Sequence, residues 1–132
     1  EVKPFVVVQG YDPQVPLDAP IYLSPMPPPG RYQLVICREV LEHLTVKALA
    51  AMVARLCDHA ARFVYVTTRF AKGPQHLLDV DTTDDLDPTH MSMLTQPFLR
   101  TLFVLQGFAR RADLEAALDW RQLGRVLVYE RG

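Results

Sequence analysis

The stretch that most constrains the fold is Tyr32–Leu44, YQLVICREVLEHL. Tyr32, Leu34, Val35, Ile36 and Cys37 form a short, nearly continuous apolar run. Such a run is expected of a buried strand in a parallel sheet whose two faces are both covered by helices. Arg38, Glu39, Glu42 and His43 arrive at once, before helical spacing begins. In an open α/β sheet, ligands bind at the carboxyl ends of the strands, so this charged cluster is the first place to look for chemistry.

The flanking segments fit the same scheme. Thr45 is placed to cap a helix carrying Val46, Leu49, Ala50, Val53, Leu56 and Cys57 on one stripe, with Ala60–Arg62 ending it. Phe63–Thr67 (FVYVT) reads as the next buried strand, which gives strand, helix, strand and predicts a right-handed crossover. Upstream, Pro4–Gln9 holds the β-branched run Phe5–Val8 and stops at Gly10, and Gly10-Tyr11-Asp12-Pro13 reads as a turn. Pro16, Pro20 and Pro25 limit Ile21-Tyr22-Leu23 to a short edge strand, and Met26–Gly30 is a stiff connection.

Downstream, Thr68–Met93 is a long irregular segment rich in aspartate; loops of that length in a compact domain are usually functional or disordered. Thr95, with Pro97 near the first turn, opens a second helix carrying Phe98, Leu99, Leu102, Phe103 and Leu105, and Gly107 ends it. Phe108–Asp113 is expected to open a strand, Leu114–Trp120 has helix-like composition, and Gly124–Glu130 (GRVLVYE) is a strand, so a hairpin of two late strands is expected.

At 132 residues and 49% hydrophobic content, a single globular domain is expected over residues 1–132. The net charge of −1 gives no bulk electrostatic drive toward nucleic acid or an acidic membrane, and Arg100, Arg110, Arg111, Arg121 and Arg125 read as a solvated face. Cys37 and Cys57 are expected to be reduced core thiols rather than a disulfide framework. With no run of about eighteen apolar residues and no signal peptide, a soluble cytoplasmic protein is expected.

Tyr32–Leu44 together with Phe63–Phe70 resembles the class I S-adenosylmethionine-dependent methyltransferases, many of which carry a strand like YQLVIC, then EVLEHL, then a helix and a strand like FVYVTT. DPTHMSMLTQPFLRTLFVLQGF resembles that family's segment through its last large helix, and GRVLVYERG its final antiparallel strand. The resemblance runs from about Gly10 to Gly132. It implies an α/β, Rossmann-like, mostly parallel sheet with a C-terminal antiparallel strand, and S-adenosylmethionine as cofactor. The family's glycine-rich loop has no counterpart in the sequence. Chain order aligns Pro4–Gln9 with the family's second strand, so the first strand and its glycine loop are expected before Glu1 and the fold is expected to be truncated at the N-terminus, the alternative being a reduced relative of the family. On this resemblance Gly10, Asp12, Cys37, Arg38 and Glu39 bind the cofactor. Asp12 holds the ribose, unless it is simply a turn-former before Pro13, and the backbone at Cys37 and Arg38 lines the methionine end.

If Glu39–Leu44 were a first helical turn, Glu39, Glu42 and His43 would share one face at i, i+3 and i+4. This ExxEH pattern with a distant His90 resembles the metal site of the small-RNA 3′-terminal 2′-O-methyltransferases. That implies Glu39, Glu42, His43 and His90 as ligands of a divalent cation, with Mn²⁺, Fe²⁺, Co²⁺ or Zn²⁺ suiting the mixed donors better than Mg²⁺. Against it stand plainer readings: Glu39 orienting the cofactor or capping a helix, and His43 as a satisfied histidine or a general base. His43 and His90 are the candidate catalytic bases. The expected activity is methyl transfer to an O or N of a small-molecule, sugar or lipid acceptor. The alternatives are a non-catalytic scaffold of the same fold and a metal-dependent RNA ribose 2′-O-methyltransferase.

Overall fold

The computed structural model describes the backbone of Gly10–Tyr11 and Leu23–Ser24, and residues 30–70 and 95–132 in full. The chain divides into two compact units, Glu1–Gly30 and Arg31–Gly132. In the first, β1 (Gly10–Tyr11) and β2 (Leu23–Ser24) pair in parallel, with Gly10 opposite Leu23. The strand expected over Pro4–Gln9 and the turn residue Asp12 lie outside the described residues.

The second unit holds a four-stranded sheet in the order β3 (Tyr32–Arg38), β4 (Ala60–Thr67), β6 (Val126–Arg131), β5 (Phe108–Arg110). β3 and β4 are parallel, and β6 lies antiparallel between β4 and β5, so three strands run one way and only the last runs against them. This is the α/β, Rossmann-like arrangement with a closing antiparallel strand that the sequence implies.

Helix α1 (Val46–His59) joins the parallel pair, and Thr45 Oγ1 caps it by accepting from the Ala48 N–H at 3.3 Å. Leu49, Val53 and Cys57, four residues apart, are its buried stripe. The helix stops at His59 and Ala60 already pairs with Tyr32, so the expected helical tail Ala60–Arg62 is strand instead. The reason is long-range: Arg131, at the end of β6, donates from Nη2 to the carbonyls of Cys57 (2.6 Å) and Ala60 (2.8 Å), satisfying the helix end from outside.

Helix α2 (Gln96–Leu105) is capped by Thr95 Oγ1, which accepts from the Phe98 N–H at 3.4 Å, and it ends at Gly107 with φ of 82°. Its buried residues are Leu99 and Phe103; Phe98 and Leu105 face solvent. Helix α3 (Ala112–Leu118) connects β5 to β6, so the two late strands pair through a helix and not through a tight hairpin.

The core is one face of the sheet: Cys37, Val64, Val66, Leu127 and Tyr129 against Leu49, Val53 and Cys57 of α1 and Leu99 and Phe103 of α2. On the opposite face of β3, Leu34 and Ile36 are 48% and 59% exposed. The expectation of a strand buried on both faces is corrected here. Among the described residues β3 is an edge strand, and both long helices lie on the Cys37 side. Cys37 and Cys57 are free and buried, as expected, and burial pushes their thiols up to about 12 and about 11.

Candidate functional site: the turn after the first long strand

β3 and β4 run in parallel with Arg38 opposite Thr67, so their carboxyl ends finish side by side. The Glu39 N–H donates to the Thr67 carbonyl at 2.8 Å, which carries the ladder one residue past the strand. Glu39 then adopts φ of 51°, in the left-handed region that non-glycine residues enter at a cost. That reversal ends the extended chain. One turn of 3₁₀ helix follows over Leu41–His43, and Leu44 is extended again before the Thr45 cap. The helical turn considered over Glu39–Leu44 is therefore corrected: Glu39 lies outside the 3₁₀ turn, so the i, i+3, i+4 spacing of Glu39, Glu42 and His43 does not place them on one α-helical face.

The 3₁₀ turn separates its two polar side chains. Glu42 points inward and is 1% exposed, with Oε2 accepting from Thr68 Oγ1 at 2.7 Å. Burial first, and then the Glu39 carboxyl beside it, hold the Glu42 carboxyl above the usual carboxylate range; the Thr68 bond pulls the other way. His43 is half-buried, with Nε2 3.9 Å from Glu42 Oε1, too far for a hydrogen bond between that pair of atoms. Arg38 and Glu39 are exposed at the strand end, whereas Cys37 is a core residue. The Thr68–Glu42 bond was not anticipated from sequence: a threonine at a strand-to-loop junction carries no periodic signal. It ties the turn after β3 to the chain leaving β4.

Of the predicted site residues, Cys37, Arg38, Glu39, Glu42 and His43 are brought together at this strand end. Gly10 lies in β1 of the other unit, and Asp12 and His90 lie outside the described residues. Among the described residues no three His, Cys, Asp or Glu side chains converge to hold a metal ion. Glu39, Glu42 and His43 therefore do not on their own fit the predicted cation site, because Glu42 is turned into the protein.

The buried acid has a consequence for stability. A carboxyl whose folded-state pKa is raised binds its proton more tightly folded than unfolded. Its favourable contribution is thus fully present below the ordinary glutamate value of 4.5 and is lost as pH climbs through the raised folded value. Glu42→Gln keeps an acceptor for Thr68 and removes the charge. It is expected to gain on the parent as pH rises, by about 1.4 kcal/mol for each tenfold displacement of the equilibrium. Urea denaturation of both proteins across that pH range checks this; parallel stability curves would count against it.

Two solved structures of magnesium protoporphyrin IX methyltransferase from Synechocystis PCC 6803 share this architecture. With SAH bound, the TM-score is 0.57 at 20% identity, over 86% of this chain and 53% of that one. With SAM bound, it is 0.55 at 18% identity, over 88% and 50%. The chain thus spans about half the length of these structures. No protein-family model matches the sequence, and no curated protein matches it either. The likeness, together with the antiparallel β6 between β4 and β5, shows that the chain carries the α/β, Rossmann-like fold of these structures.

Proposed function

We propose that the chain is part of an S-adenosylmethionine-dependent methyltransferase acting on an O or N of a small-molecule, sugar or lipid acceptor. One observation carries the reading: the exposed Arg38 and Glu39, the anchored Glu42 and the half-buried His43 gather where two parallel strands end. The exposed Glu39 carboxylate suits the ammonium or ribose hydroxyls of the cofactor, since both are hydrogen-bond donors. When bound, the cofactor supplies an already activated methyl group. What remains for the protein is in-line positioning and removal of the acceptor proton, for which His43 is the base in reach of solvent. Asp12 and Gly10 at the ribose end, and His90 as a second base, complete the reading as proposals from sequence.

Isothermal titration with S-adenosylhomocysteine tests it. Binding is expected, and Glu39→Gln is expected to weaken it roughly tenfold, the worth of one hydrogen bond to a charged group. The fold should survive the change, because Glu39 is exposed and losing its carboxylate relieves the buried Glu42. No heat with either S-adenosylmethionine or S-adenosylhomocysteine, in the full-length parent protein, would overturn the reading.

A further inference from the structure

The end of β4 holds the turn after β3 at two points. The Thr67 carbonyl accepts from the Glu39 N–H at 2.8 Å, and the hydroxyl of the next residue, Thr68 Oγ1, donates to Glu42 Oε2 at 2.7 Å. Glu39 takes φ of 51°, a conformation that glycine or asparagine enters at lower cost. Such backbone strain persists where the surrounding contacts impose it, and it gathers at functional sites. Glu39 is exposed, whereas Glu42 is buried. Their side chains nevertheless meet, with the two carboxyl groups in hydrogen-bond contact. That contact needs one proton between two acids, and the buried member keeps it because desolvation disfavours its anion. Glu42 thus accepts from Thr68 and donates to Glu39. A buried acid is costly to keep, and packing alone would favour an apolar side chain at this position.

We infer that Glu42 is a positioning residue for the cofactor: through its bond to Glu39 it fixes where the exposed carboxylate points, toward the ammonium or ribose hydroxyls. The role rests on Glu39 contacting the cofactor as proposed above. An exposed glutamate samples many rotamers, and ordering such a side chain on binding costs affinity. Held by Glu42, which is itself held by Thr68, Glu39 is ordered before the ligand arrives. A carboxylate has several lone-pair sites, so one bond from the interior leaves others for donors on the ligand.

Titration of S-adenosylhomocysteine into single and double variants of the full-length protein tests this. Glu42→Gln keeps an amide donor for Glu39 and an acceptor for Thr68, so its affinity should stay within about twofold of the parent's. Glu42→Leu fills the space without a donor and should weaken binding about fivefold, the cost of ordering one free side chain. In a Glu39→Ala background the same change should cost nothing further, because the group it positions is gone. Thr68→Val removes the anchor, keeps the shape, and should weaken binding about threefold, again only when the Glu39 side chain is present. It decides the matter if Glu42→Leu does not fold. Parent affinity in both Glu42→Leu and Thr68→Val would overturn the proposal. So would equal losses with and without the Glu39 side chain, which would mean a general loosening of the turn. A loss in Glu42→Gln as large as in Glu42→Leu would overturn it too. Each of these results leaves the cofactor reading standing, since the parent still binds. A parent that binds neither S-adenosylhomocysteine nor S-adenosylmethionine overturns that reading, and the positioning role with it.

Discussion

Replacing Phe103 with alanine is expected to cost about 3–5 kcal/mol of folding stability, read as a lower urea midpoint at an unchanged slope. Phe103 is fully buried, and its ring stacks on Tyr129 with centroids 4.1 Å apart and planes 10° from parallel. The loss therefore combines the transfer free energy of a whole ring, the cavity it leaves and the aromatic contact. Tyr129 makes the site less able to relax. It is itself fully buried, its hydroxyl has no hydrogen-bond partner among the described residues, and burial drives its pKa well above the ordinary value. It sits mid-strand on β6, opposite Val64 of β4 and Arg110 of β5, so no neighbour is free to fill the gap. Phe103→Leu keeps most of the volume and should lose less than half as much. An alanine variant weaker by under about 1 kcal/mol would mean that α2 does not hold the sheet in the way the stack implies.

The helices were legible because their signals are local. Thr45 and Thr95 cap α1 and α2 where the sequence placed them, and Leu49, Val53 and Cys57 or Leu99 and Phe103 recur at helical spacing. What could not be read depends on partners distant in the chain. Nothing in Ala60-Ala61-Arg62 resists a helix, since alanine and arginine both favour one. The stop is imposed by pairing with Tyr32 and by Arg131, 71 residues beyond Ala60. Likewise, a continuous apolar run such as Leu34–Cys37 cannot say how many of its faces are covered, and Leu34 and Ile36 are open where burial was expected.

The candidate site was legible as a location and not as a geometry. Acidic and imidazole side chains do follow β3, at the end where it finishes beside β4. Their helical arrangement was inferred from spacing alone, and spacing carries no information about the left-handed φ at Glu39 that breaks the register. The 3₁₀ turn sends neighbouring residues in different directions, which puts Glu42 against Thr68 in the interior and leaves His43 half-buried. Of the three remaining sequence-derived ligands of cofactor or metal, Gly10 lies in β1, and Asp12 and His90 lie outside the described residues.

Arg131→Met should destabilise the protein by about 2–4 kcal/mol, although Arg131 is only partly buried. The argument rests on what the guanidinium touches. Besides its Nη2 bonds to the Cys57 and Ala60 carbonyls, Nε donates to Ala60 at 3.2 Å, and the group lies over the Phe108 ring at 4.8 Å. These carbonyls end α1, where the helix dipole favours a cation, and no other side chain among the described residues bonds to them. Methionine keeps the packing of the stem and loses every one of these terms. Lysine should recover only part, because a single ammonium cannot supply the Nε bond to Ala60 beside the two that Nη2 makes. Arg62 is the control: its bond to Glu130 at 3.0 Å is on the surface, so Arg62→Met should cost less than about 1 kcal/mol. The Arg131 charge also pulls the Cys57 thiol down against the burial that raises it. Equal losses for Arg131→Met and Arg62→Met would show that the end of α1 is held by the strand pairing alone.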